Sequence, residues 1–238
     1  MHFLDLTLPS AAENLALDEA LLLEAEAGQG GEVLRLWEWP HPAVVLGSGC
    51  VLRDDVDEAA CAADGVPVLR RSSGGGTVLL GSGCLLYTLV LACDRSPALG
   101  AVRASYGYIL ERISEALADI VPGVEQAGIS DLAAGGRKFS GNAQQRKRIF
   151  LLHHGTLLYN FDLARIGRYL RPPARQPEYR DGRDHLAFVM NLPCPGDKLR
   201  RRLRTAWQAG EEHSAWPQRE VAELVRGKYS RIEWVRRR

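Results

Sequence analysis

The residues of this chain best suited to chemistry fall in two short stretches. In the first, Arg70-Arg71-Ser72-Ser73-Gly74-Gly75-Gly76-Thr77-Val78, three consecutive glycines follow a β-like run and a pair of arginines. A turn without Cβ atoms can adopt positive φ and press its N–H groups against a ligand, and successive N–H groups there form an anion-binding concavity. Arg70 and Arg71 alternate across the preceding strand, so one of them faces the ligand side. The plain reading of the same stretch is a tight hairpin with incidental arginines. In the second stretch, Lys138 stands beside a Ser140-Gly141 turn. A lysine ammonium is a compact point charge that can touch a phosphate and a carbonyl oxygen together, although a lone hairpin lysine is ordinarily just solvated. His153-His154-Gly155-Thr156 then breaks an apolar run. Neighbouring strand residues face opposite ways, so the two histidines cannot share one metal, and His154 is the expected site residue.

Composition narrows the classes. The 238 residues suit one large domain, are 46% apolar and 25% charged, and carry a formal charge of +1. That balance does not advertise nucleic-acid or membrane binding. The arginine clusters at 146–148 and 200–204 read as a solvated turn and helix face, with docking of an acidic acceptor domain as a second reading. No apolar run is long enough to span a bilayer, and the start lacks a basic-then-apolar leader. Five cysteines without C-x-x-C spacing argue against a disulfide framework or zinc site and fit a reducing cytoplasm. There is no GxxxxGK[ST] and no GxGxxG between strand and helix, so a P-loop and a Rossmann fingerprint are excluded.

The elements that must position these groups follow from pattern. Ser10 and Glu13 form a capping box for a helix that Gly28 ends. Residues 32–39 and 43–49 read as strands around Pro40-His41-Pro42, and residues 54–65 as a short helix. Strands at 66–71, 77–80 and 84–93 continue one sheet. Tyr106, Ile109, Leu110, Ile113, Leu117 and Ile120 fall at helical spacing before Pro122-Gly123. A strand-rich block runs from 124 to 161 with Gly135-Gly136 as its hairpin turn. A short helix at 164–170, a surface loop at 171–184, helices at 196–210 and 218–227 and a closing strand at 230–235 complete the reading. Hairpins mixed with helices give an α/β (α+β) chain on a mixed, largely antiparallel sheet flanked by helices.

RRSSGGGTV, GRKFSGNAQ and HHGTLL, in this order and spacing, with ENLALDEALL near the start and VMNL at 189–192, resemble the lipoate–protein ligase family. The wider group includes biotin ligases and octanoyl transferases, and its core resembles the catalytic domain of class II aminoacyl-tRNA synthetases. The resemblance implies that lipoate and ATP, with Mg2+, form lipoyl-adenylate. The acyl group then passes to a lysine of an acceptor lipoyl domain or of the glycine cleavage H protein. It implies that Lys138 contacts the acyl carbonyl and the phosphate. Arg71, Ser73, Gly74, Gly75 and Gly76, continued by Thr77 and Val78, would wrap the acyl-adenylate. Asp131 would lie near the nucleotide and metal. Ser140, Gly141 and Ala143 would complete the lysine motif, and His154, Gly155 and Thr156 the strand beneath the adenylate.

Two departures qualify that picture. Where the family commonly has His-Asp and then Gly-Asn, this chain has Leu80-Gly81 and Gly83-Cys84, which puts adenylation in question. The reading also expects no counterpart, after KYSRIEW, of the small C-terminal domain that many bacterial ligases carry. The expectation is a single catalytic domain over 1–238, with a separate accessory subunit or with transfer alone. The nearest rival is a transferase using a cysteine thioester, which needs an activated thiolate. No cysteine stands between Cys93 and Cys194. Cys84 and Cys194 remain, each reading as a small apolar residue. Biotin ligation lacks its GRGRxGR loop. A rival from another class is a non-catalytic acyl-binding subunit.

Overall fold

The computed structural model describes residues 1–172, 176–212 and 215–238. In chain order its elements are β1 (His2–Asp5), α1 (Ala11–Glu26), β2 (Val33–Glu38), β3 (Ala43–Leu46), α2 (Leu52–Asp55), α3 (Glu58–Ala63), β4 (Val68–Arg70), β5 (Val78–Leu80) and β6 (Cys84–Ala92). They continue as α4 (Val102–Leu117), β7 (Val124–Ala127), β8 (Asp131–Ala134), β9 (Arg137–Arg146), β10 (Phe150–Leu158) and α5 (Ala164–Tyr169). The remainder is α6 (His185–Phe188), α7 (Gly196–Ala206), β11 (Glu211–Glu212), α8 (Gln218–Leu224) and α9 (Ile232–Val235).

One large sheet runs β11-β1-β2-β6-β10-β9-β8-β7, and a small one runs β4-β3-β5. In the large sheet only β11/β1 and β1/β2 are parallel, so it is mixed and largely antiparallel, as the sequence implies. Alternation along β6 explains why both its faces are covered. Leu85, Tyr87, Leu89 and Leu91 join one core with α4 and α7, while Cys84, Leu86 and Val90 join the other with α1 and the small sheet. The α4 stripe from Tyr106 to Leu117 lies in the first core. Every residue of α1 from Asn14 to Leu22 is buried, because the sheet lies on one side and the C-terminal helices on the other. Its start is held as expected: the Ser10 hydroxyl accepts the Glu13 N–H at 3.2 Å and donates to the Glu13 carboxylate at 2.7 Å. Gly135 and Gly136, at φ 55° and 70°, make the tight β8–β9 hairpin.

Several sequence readings are corrected. The strands around Pro40 to Pro42 enter different sheets, and β5 pairs with β3 rather than continuing into β6. The three glycines therefore do not close a hairpin, since β4 and β5 flank β3 on opposite sides. Ser140 and Gly141 are not a turn; both lie inside the ten-residue strand β9. The helix expected at 54–65 is broken at Val56, which bridges to Leu170. The closing strand is instead one turn of helix, α9, because Trp234 donates from its indole to Arg70 O at 2.8 Å and Arg70 binds Val235 O. The expected surface loop at 171–184 contains a 3-10 turn at Glu178–Arg180 with Arg180 buried; its residues 173–175 lie outside the described residues.

The arginine clusters are largely satisfied within the chain. Arg146 binds Leu99 O, Arg200 binds Asp5, Arg202 binds Asp119, and Arg204 binds the Ala209 and Gly210 carbonyls. No helix among the described residues is long and apolar enough to cross a membrane.

Candidate active site

The two stretches meet. A cleft of about 670 Å3, counting its open mouth, lies on the α1 side of the large sheet. Arg71, Gly76, Thr77 and Val78 line it from the glycine turn, and Asp131, Lys138, Gly141 and Ala143 from β8 and β9. His154, Gly155 and Thr156 line it from β10. Of the other expected residues, Ser73 and Ser140 are buried behind the lining, and Gly74 and Gly75 shape the turn.

The turn is shaped by glycine and by one buried arginine. Gly75 has φ +82°, and a Cβ there would meet the Arg71 guanidinium at 2.9 Å. Arg71 donates to Ser73 Oγ at 3.0 Å, Gly74 O at 2.6 Å and Gly76 O at 2.8 Å. Its guanidinium is thereby spent on the turn's own carbonyls, and burial pulls it down to about 10. No acceptor among the described residues bonds the N–H groups of Gly74, Gly75 or Gly76, so these remain for a ligand. Gly47, missed in the sequence, permits the arrangement: a Cβ there would stand 2.0 Å from Gly75 O. Arg70 faces away from the cleft and ties Val235 O to the Gly47 and Cys50 carbonyls.

Opposite the turn, Lys138 Nζ lies 2.8 Å from Asp131 Oδ1, and Tyr179 donates to Asp131 Oδ2 at 2.8 Å. Lys138 lies over Gly141, where a Cβ would come within 2.9 Å of Nζ. Gly141→Ala should therefore push the ammonium out of the cleft. The expected result is at least a tenfold fall in acyl-transfer rate, equivalent to about 1.4 kcal/mol, with the unfolding midpoint little changed. Steady-state kinetics beside a denaturant curve check it.

Beneath the cleft, β10 behaves as the alternation required. His153 is turned into the core, where it meets the Tyr87 and Tyr106 rings, and burial holds it neutral at about 3. His154 faces the cleft, with Nε2 2.6 Å from Ser73 Oγ and Nδ1 3.3 Å from Asp18 Oδ2. Asp18 also binds Arg35 at 2.6 Å, and both are buried. Burial alone would raise the Asp18 carboxyl, but Arg35 and His154 pull it below the usual range. Asn14 completes this ladder by accepting from Arg35 at 2.6 Å. Asp18 and Arg35 escaped the sequence reading. The available signal was a polar pair at i and i+4, Asn14 and Asp18, inside an otherwise apolar helix. Gly155 has a different reason from the one expected. A Cβ there would strike Asn142 Oδ1 at 1.8 Å, the atom that also takes the Tyr87 hydroxyl proton.

The expected magnesium ligand does not fit a protein-held ion. Asp131 has one oxygen on Lys138 and the other on Tyr179. Among the described residues no group of three His, Cys, Asp or Glu could hold a metal. Leu80, buried and lining the cleft, offers no polar contact where the resemblance expects one. Cys84 and Cys194 are absent from the lining; burial raises both thiols. Cys50 approaches Gly75 O at 3.4 Å, and burial raises it too.

Residues 10–193 match the model described as the lipoyl protein ligase A/B catalytic domain, and the chain belongs to that enzyme family. It is 33% identical over 186 residues to octanoyltransferase LipM of Carboxydothermus hydrogenoformans, covering 71% of this chain and 69% of that one. It is 30% identical over 197 residues to a putative lipoate-protein ligase A of Aeropyrum pernix, covering 82% and 70%. In fold it is similar to a lipoate protein ligase of Thermoplasma acidophilum, described as bipartite, with a TM-score of 0.83 at 21% identity over 99% of this chain and 95% of that one.

Proposed function

We propose that this protein transfers a lipoyl or octanoyl group from an activated donor, an acyl-adenylate, to a lysine of an acceptor lipoyl domain or H protein. The observation that carries the reading is one ammonium, Lys138 Nζ, in the same cleft as Gly76, the end of a turn whose amides at Gly74 to Gly76 find no acceptor among the described residues. In the step this supports, the acceptor amine attacks the acyl carbon. Charge gathering on the carbonyl oxygen meets Lys138; the C–N bond forms, the C–O bond to phosphate breaks, AMP leaves with its phosphate against the amides, and the proton lost by the amine passes to that phosphate and on to solvent. Arg71 acts by bracing the turn rather than by touching phosphate. The reading makes transfer direct, because among the described residues no cysteine lines the cleft to carry the acyl group.

We further propose that adenylate formation needs a separate subunit. Leu80 in place of a polar residue supports this, as does the bipartite description of the Thermoplasma relative. The test supplies the purified chain with an acceptor lipoyl domain and either presynthesised lipoyl-adenylate or lipoate, ATP and magnesium. Transfer from the first without pyrophosphate release from the second is expected. Pyrophosphate release by the chain alone overturns the subunit requirement, and no transfer from lipoyl-adenylate overturns the function.

A further inference from the structure

The glycine turn cannot hold its own shape. Glycine gives up more backbone freedom on ordering than any other residue, and the loop against which the turn rests, Gly47 to Cys50, contains two more glycines. The two loops are in close contact. Ser48 N–H donates to Ser73 O at 2.8 Å, Cys50 Sγ meets Gly75 O at 3.4 Å, and Gly47 leaves the space that Gly75 O fills. Neither loop is a rigid wall for the other.

The wall is the segment from Val225 to Arg238. Its first part, a π-helical turn over Val225–Tyr229, is anchored on α1. Lys228 Nζ lies 2.7 Å from Glu19 Oε2, and the Tyr229 hydroxyl donates to the same oxygen at 2.7 Å. Its second part, α9 and the residues after it, grips both loops. Arg70, which leads into the turn, takes the Trp234 indole N–H on its carbonyl at 2.8 Å. The Arg70 guanidinium joins Val235 O to Gly47 O at 2.9 Å and to Cys50 O at 2.7 Å. Arg237 donates to Ser48 O, and Leu52 N–H donates to Arg238 O at 3.3 Å. Trp234 ties the two parts together. Lys228 Nζ lies 4.4 Å and the Arg237 guanidinium carbon 4.0 Å from its ring centroid, within range of cation–π attraction. Among the described residues none of this segment lines the cleft, so it can act on a ligand only through the loops it holds.

Resting on the acyl-adenylate reading above, we propose that this segment is a strap and that Trp234 is a positioning residue, fixing the glycine turn in the form that presents its amides to the phosphate. With the strap loosened, the turn samples forms in which those amides point elsewhere. Apparent affinity for a phosphate-bearing ligand then falls in proportion to the competent fraction. The apolar lining at Trp37 and Leu86 stands on β2 and β6 and not on the turn, so an acid without phosphate keeps its affinity.

Calorimetric titration of the purified protein with AMP and, separately, with (R)-lipoic acid tests this, with the fold checked by circular dichroism. Trp234→Phe keeps an aromatic ring beside Lys228 and Arg237 and removes the hydrogen bond to Arg70 O. It should bind AMP about fivefold more weakly, the weight of one hydrogen bond, and lipoic acid as wild type does. Arg237→Ala, at an exposed position, releases Ser48 and should shift AMP binding in the same direction, so the test stands even if Trp234→Phe does not fold. Unchanged AMP affinity in the folded variants, or equal losses for both ligands, overturns the strap alone. Wild type that binds lipoic acid but not AMP overturns the assignment of the turn to phosphate, and the strap with it. Wild type that binds neither overturns the acyl-adenylate reading on which both rest.

Discussion

Replacing Lys138 with alanine should leave a folded protein whose transfer from lipoyl-adenylate is about 10²- to 10³-fold slower. The size follows from what the ammonium does. Among the described residues it is the only lysine or arginine lining the cleft that is not spent on bracing the glycine turn, since Arg71 is committed to Ser73, Gly74 and Gly76. Losing one preorganised donor to a developing oxyanion costs about 2.7–4 kcal/mol of transition-state stabilisation. The fold should scarcely notice. The side chain is 28% exposed and, among the described residues, paired with Asp131 alone, and a partly exposed pair of that kind contributes at most about 1 kcal/mol. Lys138→Arg should not rescue the rate, because a planar fork cannot occupy the place of a point charge over Gly141. Single-turnover transfer measured beside urea unfolding decides the matter. A variant with more than a tenth of the wild-type rate shows that the charge on the carbonyl oxygen is met by something else.

What could be read from the sequence was local chemistry with a fixed backbone consequence. The glycines at 74–76 allowed a turn with free amides, and the His153-His154 pair had to face opposite sides of its strand with His154 toward the site; each followed from φ or from strand alternation. Ser10 as a cap was local too. What could not be read depends on partners far along the chain. Alternation required one of Arg70 and Arg71 to face the ligand side but could not say which; Arg70 is held by Val235 O, 165 residues away. The segment at 230–235 has a strand's composition, but that long-range clamp, together with the Trp234 indole on Arg70 O, makes it a helical turn. The small sheet was invisible for a similar reason, since nothing local tells β5 to pair with β3 instead of running on into β6. Ser140-Gly141 misled in the opposite sense: the pair is common in turns, but here the glycine makes room for the lysine above it within a continuous strand.

The ladder beneath the cleft carries the largest expected effect on stability. Asp18→Ala leaves Arg35, fully buried, without its counter-ion, and breaking a buried pair from one side costs about 3–5 kcal/mol. For a chain of this length each kcal/mol moves the melting point about 2–4 °C, so a fall on the order of 10 °C is expected. Replacing both residues, Asp18→Ala with Arg35→Met, should recover much of that loss, because no charge is then stranded. The pH dependence has a definite sign. The folded Asp18 carboxyl lies below its ordinary value of 3.8, so its contribution is complete above that pH and is lost as the pH falls through the lower folded value. The gap between wild type and Asp18→Ala should therefore hold from neutrality down to about pH 4 and close below it. Activity separates the two roles of the carboxylate. Asp18 also fixes the His154 ring that meets Ser73 at the base of the glycine turn. The double variant should thus regain stability but not transfer rate. If rate and stability return together, Asp18 serves only to neutralise Arg35, and the turn is held by Arg71 without help from the histidine.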